Sequence, residues 1–204
     1  MRRLLLAACL LSPVACSVKA PPRQSWTIVT RRMTAEAPRD AALPALGVTR
    51  FSAAPDVRTT DLTWRDQDGR QLHATDDRWA DYPDRMMEEM VRDALIETGA
   101  FSVVASAPPT EGLDALLSAR VVDFTEWHDA DAMTVRVAVS WRLRQPMGFP
   151  LAQKVEEHSA VVAQKSVAGV VAAYQEAAQA CAHAMAAEVA TSAAAAKTAA
   201  AQGH

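Results

Sequence analysis

From Met133 to Arg144 the side chains alternate without a break. Met133, Val135, Val137, Val139, Trp141 and Leu143 stand against Thr134, Arg136, Ala138, Ser140, Arg142 and Arg144. Successive strand residues point to opposite sides of a sheet, so six matches in register demand one buried face and one wet face. A chain with such a strand must fold around a sheet covered on one side. The other patterns supply its neighbours and its cover. Gln145-Pro146-Met147-Gly148 reads as a turn, with a returning strand over Lys154 to Gln164. Leu116 to Trp127 is strand-like, as are Trp26-Thr27-Ile28-Val29, Leu46 to Phe51 and Phe101 to Val104. Leu62 to Arg65 and Arg70 to His73 flank Asp66-Gln67-Asp68-Gly69, a hairpin whose Asp-Gly supplies the positive-φ position.

Two helices complete the reading. Asp81-Tyr82-Pro83-Asp84 opens the first: Asp81 is the expected cap, Pro83 suits the first turn, and Asp84, Glu88 and Glu89 favour the positive end. Met87, Met90, Val91, Ala94 and Thr98 recur at helical spacing, and Gly99 stops the helix. Val167, Val170, Val171, Tyr174, Ala178, Cys181, Met185 and Val189 form the stripe of a second helix. An Ala-rich tail follows over 191–204 and is expected to be a frayed helical extension or to lack order. Strands, helix, strands and helix in that order predict an α+β fold. The expected architecture is an antiparallel sheet with two main helices packed on one face, a two-layer sandwich.

The N-terminus carries a different message. Arg2 and Arg3 precede the apolar run Leu4 to Leu11, and Ser12-Pro13-Val14-Ala15-Cys16 follows. Basic, apolar and small-residue zones in that order read as a secretory leader, and the run is too short to span a bilayer. Val14-Ala15-Cys16 resembles the end of a bacterial lipobox, with Pro13 where Leu is usual. The resemblance implies diacylation of the Cys16 thiol, palmitate being a typical chain, and cleavage just before it. Leu6-Ala7-Ala8-Cys9 leaves too short a run, and ordinary cleavage after Val18-Lys19-Ala20 is the other alternative. Ser17, in place of an Asp, implies export to the outer membrane. The expected organisation is leader 1–15, lipidated N-terminus and tether 16–25, domain 26–190 and tail 191–204. If Cys16 is a thioether and Cys9 leaves with the leader, Cys181 has no disulfide partner and belongs to the core.

Composition narrows the function. The 204 residues hold 21 Lys and Arg against 24 Asp and Glu, a formal net charge of -3. Nucleic-acid binding needs clustered cations, and none is evident. The sequence has no phosphate-cradling Gly loop, G-x-S-x-G elbow, H-E-x-x-H or C-x-x-C, so no catalytic residue, metal ligand or cofactor is assigned. His128-Asp129 with Asp131 could hold a metal but reads better as a solvated turn. Trp79 has two readings: core filler, or contact residue beside Asp76, Asp77 and Arg78. The lead-in to the first helix, with Trp79 and Arg78 exposed, is the candidate partner contact, because aromatic and Arg side chains dominate interface hot spots.

Leu46 to Phe51, Leu62 to Arg65, Trp79 to Met86 and Phe101 to Val104 together resemble the ABC-type transport auxiliary lipoproteins, the PqiC-like group. The shared features are the lipobox, the hairpin, the W-x-x-x-P lead-in from Trp79 to Pro83, the long β-meander and the C-terminal helix. The resemblance covers roughly residues 26 to 190 and implies a non-catalytic, periplasm-facing lipoprotein anchored in the outer membrane. Its implied partners are an Mce-domain protein with its ABC permease and ATPase, in a lipid transport system. A homo-oligomer is left open. The alternative is a periplasmic lipid-binding lipoprotein that holds cargo between sheet and helices; an enzyme with a hidden site is a third, weaker reading.

Overall fold

The computed structural model describes residues 24–29, 43, 45–107, 112–129 and 132–202. Along the chain lie β1 (Gln24–Trp26), β2 (Leu46–Val48), β3 (Ser52–Ala53), β4 (Asp61–Arg65), β5 (Gln71–Trp79), α1 (Pro83–Glu97) and β6 (Val104–Ser106). The long β7 (Ala115–His128), β8 (Met133–Arg144) and β9 (Pro150–Val161) follow, then α2 (Val167–Gln202). The alternation that predicts β8 matches its bounds residue for residue.

β7 is the spine of the sheet. On one side it pairs antiparallel with β8, which pairs antiparallel with β9. On the other side β2, β3 and β4 follow one another along it, all parallel, opposite Ala115, Arg120 and Glu126 respectively. β6 adds to β2 in parallel, β5 to β4 as the hairpin partner, and β1 to β5 in parallel. The sheet is therefore mixed rather than antiparallel. The reason lies in the connections: the hairpin and α1 separate β4 from β7, and parallel pairing needs a crossover of that kind.

Both helices lie on one face, as the sandwich reading requires, with α2 against β8 and β9 and α1 against β7 and α2. α1 buries Met86, Met87, Met90, Val91, Ala94 and Leu95. Pro83 takes the first helical position, where its missing N–H costs nothing. That placement makes Tyr82 the cap, and no side chain caps the helix; Asp81 accepts the Tyr82 N–H at 2.7 Å instead. Thr98 ends the helix, with Gly99 at φ +61 just beyond.

Ala173, Ala177, Ala178, Ala182 and Ala186 are buried on α2. Small side chains let a helix lie close to a sheet, and Ala costs least helix entropy. The Ser166 hydroxyl accepts the Gly169 N–H at 3.2 Å and starts the helix. Glycine is needed there, since a Cβ would sit 2.1 Å from the Gln164 carbonyl oxygen. α2 runs on through the Ala-rich stretch to Gln202, and Ala193 is still buried. With 36 residues the helix runs for about 54 Å. No described helix is long and apolar enough to cross a membrane.

Candidate functional site

Arg78 and Trp79 end β5, just before α1, and the structure separates them. Arg78 is exposed, opposite Asp61 on β4. Trp79 is 2 % exposed and belongs to the core, which corrects the expectation of an exposed contact residue. Its N–H donates to the Thr60 carbonyl at 2.6 Å, and the next amide, of Ala80, donates to the Trp26 carbonyl at 2.6 Å. These bonds fix the end of β5 between two chain segments and turn the indole toward the helices.

There the indole meets Phe124 edge-on at 5.5 Å and Tyr174 edge-on at 4.9 Å, while Phe124 and Tyr174 stack at 4.6 Å. The Tyr174 hydroxyl donates to the Phe124 carbonyl at 3.4 Å. Burial holds the Tyr174 phenol well above its ordinary pKa, with Glu126 and Asp123 adding to the effect. Three rings from β5, β7 and α2 thus lock the hairpin to the helix layer. Quadrupole geometry favours such edge-on pairs.

Beside this lock lies a feature the sequence reading passed over. A pocket of about 310 Å³ opens at the start of α2, lined by Leu62, Trp64, Met133, Val167 and Val170, with Glu126 and His128 among its polar groups. His128 Nε2 lies 2.6 Å from Glu126 Oε1, and its ring stacks on Trp64 at 6.0 Å. Burial raises the Glu126 carboxyl above the usual range, and the His128 hydrogen bond offsets part of that rise. His128 is the last residue of β7 rather than part of a solvated turn. Asp131, the third member of the weighed metal set, lies outside the described residues. Among those residues no group of three His, Cys, Asp or Glu is placed to hold a metal.

Cys181 is fully buried and free, as its place on the stripe requires. Its thiol donates to the Glu156 carbonyl at 3.7 Å, and burial pushes its pKa up to about 12. Such a thiol is packing, not chemistry. Cys16 lies outside the described residues.

The face of the sheet away from the helices has no helix against it among the described residues. Two arginines there, Arg65 and Arg136, hold their guanidinium groups 5.5 Å and 4.9 Å from the Trp127 ring centre. Each is also ion-paired, Arg65 with Asp56 at 2.8 Å and Arg136 with Glu157 at 3.3 Å.

A family profile for the ABC-type transport auxiliary lipoprotein component matches residues 27–186. The chain belongs to that family. Its members are auxiliary lipoprotein components of ABC-type transport systems. No curated protein matches the sequence. The fold of this auxiliary lipoprotein recurs in solved structures. A protein from Xanthomonas campestris is 17% identical, with a TM-score of 0.67 over 84% of this chain and 90% of that one. An uncharacterised protein, 14% identical, gives 0.66 over 83% and 99%. A hypothetical protein from Chlamydia trachomatis, 8% identical, gives 0.52 over 72% and 98%. At these identities the likeness is one of fold.

Proposed function

We propose that this auxiliary lipoprotein is a non-catalytic, periplasm-facing subunit of an Mce/ABC-type lipid transport system, anchored in the outer membrane through acyl chains on Cys16. It docks the periplasmic Mce-domain protein, and through it the ABC permease and ATPase, at that membrane. The family match over 27–186 carries this reading. The leader and lipobox-like Val14-Ala15-Cys16 support the anchor. Two acyl chains meet the two-signal requirement for stable attachment. From Cys16 to Gln24 there are at most about 29 Å of chain, so the domain would stay close to the bilayer. Tethering raises effective concentration, so a modest affinity for the partner suffices. Arg78, exposed at the lead-in to α1, remains a proposed contact, while Trp79 supports it only from within.

Fatty-acid labelling tests the anchor: wild type takes up label and Cys16→Ser does not. Equal labelling of both would end the lipoprotein assignment at this cysteine. The pocket of about 310 Å³ beside Glu126 favours the second reading, a lipid-binding lipoprotein. Lipid extracted in one-to-one ratio with the purified domain, and lost on Val170→Trp, would support that reading over docking.

A further inference from the structure

We infer that the open face of the sheet carries a binding groove for an acidic polypeptide segment, read by Arg120 and Arg142. The inference rests on the docking role proposed above and adds the surface and the chemistry of the partner. The groove has a volume of about 480 Å³ and crosses β3, β7, β8 and β9. Its polar lining includes Ser52, Ser118, Arg120, Ser140, Arg142 and Gln153.

Strand register explains the arrangement. Ser52 lies opposite Arg120, Arg120 opposite Ser140, Ser118 opposite Arg142, and Arg142 opposite Gln153. Arginine and small hydroxyl therefore alternate like the squares of a board, with the two arginines on a diagonal. Diagonal neighbours in a sheet stand about 7–8 Å apart, so each guanidinium has room for its own carboxylate. The serines leave the floor low; Ser118 donates to the Arg142 carbonyl at 3.5 Å, and Ser52 and Ser140 add hydroxyls that an oxyanion can use.

Charge decides what fits. The chain is net negative at -3, and Arg65 and Arg136 on the same face are both neutralised by carboxylates. Arg120 and Arg142 are exposed, and neither has a carboxylate partner among the described residues. Two planar, permanently charged forks aimed at solvent match two carboxylates bidentately. Val155, 54 % exposed along one wall, gives the backbone of an extended segment an apolar contact. A run with acidic side chains about two residues apart would place its charges on this diagonal.

The test uses the soluble chain from residue 17, a fluorescent twelve-residue peptide with alternating Glu, and the same peptide with Gln. Anisotropy should show binding of the Glu peptide only. Arg120→Gln combined with Arg142→Gln should weaken it by about tenfold or more, since truncating one side of a hydrogen-bonded charge pair has that effect. Arg50→Gln, an exposed control, should leave it unchanged. Equal loss with Arg50→Gln, or no binding, would overturn the groove. Binding to phosphatidylglycerol vesicles in place of the peptide, lost in the double variant, would overturn it in favour of a lipid headgroup. Co-purification of the double variant with the transport assembly at wild-type yield would sink the groove and leave the transport role standing. Failure of the wild type to co-purify would sink the role itself.

Discussion

Replacing Trp79 with Ala should unfold the lead-in to α1 rather than strip a surface. The indole is 2 % exposed and touches Phe124 and Tyr174 edge-on at 5.5 Å and 4.9 Å. Truncation of a fully buried aromatic residue costs about 3–5 kcal/mol, because transfer energy and a residual cavity add together. For a domain of this size each kcal/mol lowers the melting temperature by about 2–4 °C, so the expected fall is about 6–20 °C. Trp79→Phe keeps a ring in the cluster and should lose less. Arg78→Ala, at the neighbouring exposed position, should stay within about 0.5 kcal/mol of wild type. Thermal unfolding followed by circular dichroism measures all three. A Trp79→Ala protein that melts within about 2 °C of wild type yet loses its partner would refute the buried placement and restore the contact reading.

Two further perturbations read the core. Cys181, with its pKa near 12, should resist a thiol reagent in the folded domain and react once denatured; rapid labelling of the native protein would contradict its packing. The buried Glu126 carboxyl holds its proton more tightly in the folded than in the unfolded chain. That preference stabilises the fold fully at low pH and is lost as pH rises through the raised value. Glu126→Gln should therefore gain on wild type between about pH 4 and about pH 7 in parallel melts; a gap that shrinks over that range would reverse the sign.

Much of this architecture is written locally. The alternation of 133–144 marks β8, Asp68-Gly69 marks the β4–β5 turn with φ +76 at the glycine, and the apolar stripe from Val167 marks α2. What is not local is harder to read. The parallel run of β2, β3 and β4 along β7 is set by crossovers, and strands of two to five residues carry too little pattern to reveal their neighbours. Trp79 misleads because β5 passes through Thr75-Asp76-Asp77-Arg78 before reaching it, and the polar run hides the inward turn of the last residue. A register shift between Val121 and Asp123 changes the phase of β7. Beyond the shift, Phe124, Glu126 and His128 face the helices, where the earlier alternation would have placed Asp123, Thr125 and Trp127. Arg142 is legible in the sequence as part of the polar half of β8, but that it and Arg120 on β7 have no carboxylate partner among the described residues is a fact of three dimensions.

Co-purification from membranes decides whether this lipoprotein docks a transport assembly. The tagged full-length chain, extracted in mild detergent from cells making the whole transport system, should bring down the Mce-domain protein with its permease and ATPase. Cys16→Ser, released from the membrane, should recover far less of them. Recovery of the tagged chain alone, from cells in which the three partners are present and intact, would contradict docking.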